Sequence, residues 1–346
     1  MSTTRYNENF IQVLSQMAQK TAVNGEHFKT KAYKKAQETI MNFGGNISKL
    51  EDIDGLPGIG KSILEKLGKV ISENGNNGNN GNNGNNGNQE SNNPIVEDPA
   101  IVLTGVYGIG PKKATELVES GITTIAQLRK VQKEVLNDKQ IIGLKYYEDV
   151  LKRIPRSEID QYDKVLKKTL TQTLSTYGFE KDDCRYQIVG SYRRGAVDSG
   201  DIDIIITSDT IQTFILWIDL LIKSKVILEV LSRGPSKCLV MAQIPGSSVV
   251  RRVDFLYCLP EEFAFSILYF TGSKDFNTVM RGRALKYGLT LNEHGFHHMV
   301  AGENGRKVKG PKLTRVFKDE KDIFDHLEMI WKDPQERKDG SCVVKI

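Results

Sequence analysis

The chain is 346 residues long, 39% hydrophobic and 26% charged, with a formal net charge of +5. That length exceeds one ordinary core, so two or more domains are expected, and the composition is that of a soluble globular protein. The mild positive charge permits a nucleic-acid partner without demanding one. Cys184, Cys238, Cys258 and Cys342 stand far apart with no Cys-x-x-Cys pair, which argues for free thiols in a reducing compartment and against a disulfide frame or a cysteine zinc site. No apolar signal core opens the sequence, and no stretch approaches the ~20 apolar residues of a membrane helix, so an intracellular protein is expected.

Residues 1–72 read as a small helical domain: Phe10, Val13, Leu14 and Met17 recur at helical spacing. Lys29, Lys31, Lys34 and Lys35 crowd one stretch of it. Residues 75–88 repeat Gly-Asn-Asn with almost no apolar content, the composition of a flexible tether. Residues 98–152 return to short helices, broken by Gly105, Gly108, Gly110 and Gly121. Leu56-Pro57-Gly58-Ile59-Gly60 has a second copy in Val106-Tyr107-Gly108-Ile109-Gly110, and a lysine-bearing helical segment follows each. A Gly-x-Gly turn entering a helix exposes backbone N–H groups and tolerates close approach of a phosphate. One copy reads equally as a helix–helix turn. Two copies point to helix-hairpin-helix modules, which grip the DNA backbone without reading bases.

From about residue 185 the chain becomes β-rich. Strands are expected over 186–189, 202–207, 226–230, 238–244 and 250–257, with a helix over 214–222; later segments mix helices with a Gly-containing β segment and end in a helix over 323–331. Residues 190–203 carry the chemistry. Asp201 and Asp203 precede and enter an isoleucine run, and side chains two apart on a strand share a face. Carboxylates suit Mg²⁺, which takes its other ligands from water and substrate phosphates. Asp254, in Arg251-Arg252-Val253-Asp254-Phe255, is a third carboxylate on an expected strand of the same sheet, enough for a two-ion site. Ser191 and Arg194 suit β- and γ-phosphate oxygens, Gly190 lets backbone approach them, and Ser199 and Gly200 shape the turn into the strand. His294, His297 and His298 cluster, yet nothing nearby completes a tetrahedral zinc set.

In order along the chain, Leu56-Pro-Gly-Ile-Gly60, Gly108-Ile-Gly-Pro111, Gly143-Leu-Lys-Tyr-Tyr147, Arg153-Ile-Pro-Arg156, Gly190-Ser-Tyr-Arg-Arg-Gly195, Ser199-Gly-Asp-Ile-Asp203, Tyr269-Phe-Thr-Gly-Ser273 and Glu320-Lys-Asp-Ile-Phe-Asp325 resemble the motifs of the family X DNA polymerases, the polymerase beta group, over nearly the whole length. The resemblance implies an α+β multidomain fold. Its parts are an all-helical lyase-like domain with the first hairpin (1–72), a linker (73–97), a DNA-binding subdomain with the second hairpin (98–152), a nucleotidyltransferase palm with a mixed sheet (153–260) and a C-terminal subdomain that selects the nascent base pair (261–346). It implies templated, gap-filling DNA synthesis in base-excision-type repair by a monomer acting on gapped or nicked duplex DNA and deoxynucleoside triphosphates. The expected location is the nucleus, or the cytoplasm or virion for a viral protein. Two Mg²⁺ ions, or Mn²⁺, and a monovalent cation at the hairpin turns are the implied cofactors.

The roles carry over position by position. Asp201, Asp203 and Asp254 match the metal-binding aspartates, the last also activating the primer hydroxyl. Arg153, Ser191, Arg194, Ser199, Gly200 and Gly272 match triphosphate contacts. Tyr269 and Phe270 match the pair beneath the sugar, and Asn277 and Arg281 match minor-groove readers of the new pair. Lys66 matches the Schiff-base nucleophile of a 5′-deoxyribose phosphate lyase, which needs a neutral amine. Lys29, Tyr33 and Lys35 match residues around its phosphate and abasic site. Gly58, Gly60, Lys61, Gly108 and Gly110 belong to the DNA-gripping turns. Phe28 stands where the family has a pocket histidine, and Asp54 and Ser62 where it has lysines. Two rivals to templated synthesis are a template-independent terminal transferase and a catalytically dead DNA-binding scaffold. The short excursion around 231–238 opposes the first, and the complete carboxylate set opposes the second.

Overall fold

A computed structural model describes residues 5–23, 25–43, 45–76, 98–180, 184–302 and 306–346. Two compact units divide the chain, Met1–Leu144 and Lys145–Ile346. Among the described residues no helix is long and apolar enough to cross a membrane.

The first unit is helical. Helices α1 (Asn7–Val23), α2 (His27–Met41) and α3 (Lys61–Asn76) close around Phe10, Leu14, Ile40, Ile47, Ile53 and Leu67. Phe10 and Leu14 are buried as their spacing predicts, and Ala18, a turn further on, completes the stripe. Helix α3 runs to Asn76, past the expected start of the linker at 73. The expected tether otherwise lies outside the described residues. Helices α4 (Pro99–Thr104), α5 (Pro111–Glu119), α6 (Ile125–Val135) and α7 (Asp138–Lys145) follow. The two Gly-x-Gly turns fold alike: Gly58 and Gly108 take φ of +85° and +86°. Ile59 N–H donates to the Leu56 carbonyl at 2.9 Å, and Ile109 N–H to the Val106 carbonyl at 3.0 Å. A positive φ there favours glycine.

The second unit begins with α8 (Tyr147–Leu151), β1 (Ile154–Pro155) and α9 (Arg156–Tyr177). Then come β2 (Cys184–Ile188), α10 (Gly190–Arg193), β3 (Asp198–Ser199), β4 (Ile202–Ser208), α11 (Ile211–Lys223), β5 (Ile227–Arg233), β6 (Lys237–Ala242) and β7 (Arg251–Cys258). The five-stranded sheet has the order β2-β4-β7-β6-β5, with β4 and β7 parallel and the other neighbours antiparallel. Alternation gives it two different faces. Ile202, Ile204 and Ile206 of β4 join Val253 and Phe255 of β7 in one core with residues of α9 and α11. Ile205 and Cys258 turn the other way, toward Phe263, Ile267 and Phe270 of the next helix. The long α9 was not anticipated, although Ile159, Tyr162, Leu166, Leu170 and Leu174 form its buried stripe.

After α12 (Phe263–Thr271) and α13 (Lys274–Lys286), a three-stranded sheet of β8 (Leu289–Asn292), β9 (Gly295–Ala301) and β10 (Lys307–Lys312) packs with α14 (Glu320–His326) around Phe276, Phe296 and Phe324. The helix expected over 323–331 ends at His326. Glu328 takes φ +50° and Met329 bridges Lys345, so the backbone has left the helix.

Glu320 locks this region. It is 3% exposed and accepts from Arg337 Nη1 at 2.6 Å and from both terminal nitrogens of Arg193, at 3.0 and 2.6 Å. Arg337 is fully buried, its guanidinium carbon 4.9 to 5.5 Å from the ring centres of Trp331, Phe324 and Phe276. Deleting one member of a buried pair strands the other charge. Glu320→Ala should therefore lower unfolding stability by about 3–5 kcal/mol, and Glu320→Gln by less. Urea melts followed by tryptophan emission test this, because both tryptophans, Trp217 and Trp331, lie in the second unit. A loss under about 1 kcal/mol for Glu320→Ala would contradict the locking role.

Candidate active site

The register of two parallel strands builds the centre. Asp203 of β4 lies directly across from Asp254 of β7, on the face opposite the isoleucine core. Asp201 sits in the turn just before β4, outside the strand, in keeping with the strand expected over 202–207. Its carboxylate still joins the other two: ligand atoms of Asp201, Asp203 and Asp254 all lie within 4.8 Å of one another. No other group of three or more His, Cys, Asp or Glu side chains is drawn together this way among the described residues.

Burial pushes the Asp203 carboxyl up to about 6, and the neighbouring Asp254 carboxylate adds to the rise. Burial also raises Asp254, which is 8% exposed, with Arg252 and Lys237 opposing. Arg252 pairs with Asp201 and holds its Nε 3.6 Å from Asp254 Oδ1. Asp254 Oδ1 has no hydrogen-bond partner. A buried carboxylate oxygen without a donor, beside two further carboxylates, is the donor set of a divalent cation, so these residues fit a metal. Arg252 was missed in the sequence as part of this centre, yet it lies two residues before Asp254, where alternation puts it on the same face. Its neighbour Arg251 faces away and forms a two-pronged pair with Glu158, at 2.7 and 2.6 Å.

The loop before β4 wraps this centre. Gly190 takes φ +61°, and a Cβ there would stand 2.5 Å from Asp203 Oδ2, so only glycine leaves room for that carboxylate. Ser191 donates to Ser199 across the loop, oxygen to oxygen 2.7 Å. Arg194 donates to the Thr271 carbonyl at the end of α12, and a Cβ on Gly272 would lie 3.3 Å from Arg194 Nη1. Arg193, one residue earlier, turns to Glu320 and to Thr271 Oγ1, at 2.7 Å. Arg153 precedes β1 and rests on Asp198, with its Nη1 3.2 Å from where a Gly200 Cβ would be.

On α12, Tyr269 and Phe270 meet edge to face, ring centres 5.1 Å apart. Asn277 Nδ2 donates to the Tyr269 carbonyl at 2.6 Å, and Tyr269, Asn277 and Arg281 border one small pocket.

In the first unit, Lys29, Tyr33, Gly58, Gly60, Ser62 and Lys66 line a cavity of about 530 Å³. The Lys66 ammonium donates to the Tyr33 hydroxyl and lies 4.9 Å from the centre of its ring. Lys29 pairs with Glu26, which raises its pKa. Of the residues matched to the phosphate and abasic site, Lys35 is not among those lining the cavity, and neither is Lys61 of the hairpin turn. The Lys35 stem instead packs where a Cβ on Gly58 would fall, 2.9 Å away. Gly108 and Gly110 form the second hairpin, where the Gly108 carbonyl accepts from Gln140 at 2.9 Å.

The Asp203 pKa sets a testable sign. Its ordinary value is 3.8 and its folded value about 6, so the folded state holds the proton through that interval. Stability of the metal-free protein therefore falls as pH rises from about 4 to about 6. Asp203→Asn removes the charge, so it should stabilise the metal-free protein at pH 7.5 by about 1–3 kcal/mol, with the gain fading toward pH 4. Millimolar Mg²⁺ or Mn²⁺ should raise the melting midpoint of the parent and not of the variant. Equal midpoints at pH 7.5, or equal metal responses, would refute the electrostatic account.

Four family models match the chain in order: a helix-hairpin-helix domain over 5–75, the fingers domain of DNA polymerase lambda over 102–151, the DNA polymerase beta palm over 153–260 and the DNA polymerase beta thumb over 266–338. DNA polymerase lambda of Rattus norvegicus is 28% identical over 345 residues, which covers 96% of this chain and 56% of the relative. DNA polymerase lambda of Arabidopsis thaliana is 25% identical over 96% of this chain and 62% of its own length. The DNA polymerase type-X family protein pol4 of Schizosaccharomyces pombe is 24% identical over 96% and 65%. The chain thus spans 56% to 65% of the length of these relatives. Palm, thumb and fingers are matched in sequence order and the aspartates of the palm are drawn to one point, so the chain resembles the family X DNA polymerases over most of its length.

Proposed function

We propose that the protein is a DNA-directed DNA polymerase that fills short gaps during repair. The observation that carries the reading is the convergence of Asp201, Asp203 and Asp254 beside the Ser191–Arg194 loop. Asp201, Asp203 and Asp254 would hold Mg²⁺, or Mn²⁺ in its place, which supplies Lewis acidity toward the primer 3′-hydroxyl and the triphosphate oxygens. Ser191 and Arg194 donate to the triphosphate, and their tethers to Ser199 and the Thr271 carbonyl hold them oriented before it arrives. Asp254 accepts the 3′-hydroxyl proton, a role supported by an oxygen that accepts no hydrogen bond within the protein. The 3′-oxygen then bonds to the α-phosphorus and pyrophosphate leaves. Tyr269 and Phe270 meet the sugar, and Asn277 and Arg281 follow the minor-groove edge of the new pair, where shape more than base identity is read.

Templated synthesis is favoured by the β5–β6 hairpin, which Gly234, Pro235 and Ser236 close with no excursion long enough to replace a template strand. The paired hairpin turns support binding to the DNA backbone on either side of a gap, with a monovalent cation at those turns as an additional ligand. Lys66 in its cavity supports removal of a 5′-deoxyribose phosphate through a Schiff base.

Primer extension on single-gap duplex, run beside bare single strand, is the primary test. Extension should be confined to the duplex, and Asp203→Ala or Asp254→Ala should reduce it by about a thousandfold or more. Variants as active as the parent would remove the assignment, and equal extension of both substrates would favour a terminal transferase. Borohydride should trap the parent on incised abasic DNA; undiminished trapping by Lys66→Ala would overturn the lyase role.

A further inference from the structure

We infer that Asp198 is a positioning residue for the triphosphate: it holds Arg153 with one edge of the guanidinium occupied and the other presented to the Ser191–Gly200 loop. The inference rests on the polymerase reading above, in which that loop receives the triphosphate.

Asp198 Oδ1 accepts from Arg153 Nε at 3.0 Å and from Nη2 at 2.7 Å, and the Asp198 carbonyl accepts from the same Nη2 at 3.2 Å. Three bonds therefore fix one edge of the fork. Nη1 makes none of them and lies against Gly200, 3.2 Å from the place a Cβ would take. Around that point stand Ser199, bonded to Ser191, and the turn into Asp201. The backbone is tied to the same loop. Ile154 and Pro155 of β1 pair with Ser199 and Asp198 of β3, and Arg156 N–H donates to the Val197 carbonyl at 3.0 Å. Main chain and side chain together leave Arg153 little freedom.

Stability does not explain the pair. The two side chains are 58% and 42% exposed, and ion pairs in such surroundings contribute little to folding. Their consequence is orientation. An arginine carries a large side-chain entropy, and a fork ordered before the ligand arrives loses less of it on binding. Phosphate oxygens accept from guanidinium groups in a planar geometry, which one pinned edge preserves for the other.

Steady-state incorporation into single-gap DNA tests the role. Asp198→Ala should raise KM for the deoxynucleoside triphosphate about 3- to 10-fold and leave kcat within about twofold. Asp198→Asn keeps an oxygen acceptor in the same place and should stay within about twofold of the parent KM. Arg153→Ala should raise KM as well, and adding Asp198→Ala to it should change nothing further, because the two act as one unit. The melting midpoint of Asp198→Ala should stay within about 2 °C of the parent, which separates positioning from folding. Calorimetric binding of a non-hydrolysable α,β-imido deoxynucleoside triphosphate to the gapped-DNA complex should repeat the same order of affinities without turnover. An unchanged or lowered KM in Asp198→Ala, or additive effects in the double variant, overturns the proposal. An Arg153→Ala variant with parental KM overturns it too, while leaving the polymerase reading intact. If the parent shows no synthesis, the polymerase reading fails, and calorimetry decides this one: no binding, or equal binding by parent and Asp198→Ala, ends it.

Discussion

The structure is organised around one unfavourable pairing. Asp203 and Asp254 occupy facing positions on adjacent parallel strands, with Asp254 buried and the partly exposed Asp201 close by. Two unit charges about 4 Å apart repel by about 4 kcal/mol at an effective dielectric near 20. A chain selected only for stability would not assemble them. The opposite face of the same strands shows what holds them there: Ile202, Ile204, Ile206, Val253 and Phe255 are all but fully buried with residues of α9 and α11. Because side chains alternate, the register that buries the isoleucines also forces the aspartates together. A one-residue slip would lose both at once.

The surroundings of the carboxylates follow from that strain. Arg252 answers Asp201 and Asp254, Lys237 lowers the pKa of both Asp203 and Asp254, and Gly190 leaves the space that Asp203 occupies. Arg194 supplies a further positive field while its guanidinium is held on the Thr271 carbonyl. Consecutive arginines thus do different work. Arg193 is consumed by Glu320 and Thr271 in a buried network, which fastens α10 to the junction of α12 and α13; Arg194 remains half-buried near the carboxylates. The loop that would meet the triphosphate and the helix that would meet the sugar are therefore one mechanical piece.

How legible this was in the sequence depended on the range of the interactions. Asp201 and Asp203 declared themselves through local spacing, and the two Gly-x-Gly turns through a repeated pattern of residues. Asp254 could be proposed only by supposing a shared sheet, and the parallel register to Asp203 is a property of the fold. Arg252 was within reach, since alternation pairs it with Asp254. The Arg193–Glu320 pair joins residues 127 positions apart, and no local pattern announces it. Two elements depart from the expected pattern: α9 carries a full apolar stripe where no element was expected, and α14 ends before the expected 331 because Glu328 turns to positive φ, which apolar spacing does not encode. In the first unit, Lys29, Tyr33 and Lys66 line one cavity, whereas the Lys35 stem packs beside Gly58 and Lys61 opens α3 without being among the lining residues.

The same contrast bears on the meaning of net charge. A chain total of +5 suggests a weakly basic surface and little else. Its physical content is in the separation of signs: carboxylates gather where the second unit would receive cations, while Lys29 and Lys66 border the cavity of the first. The three carboxylates repel one another and would be relieved by a cation, whereas Lys29 is already answered by Glu26 and Lys66 by the Tyr33 hydroxyl. Averaging over the chain cancels these local signals, so composition alone could only permit a nucleic-acid partner, and the proposed substrate rests on the arrangement instead.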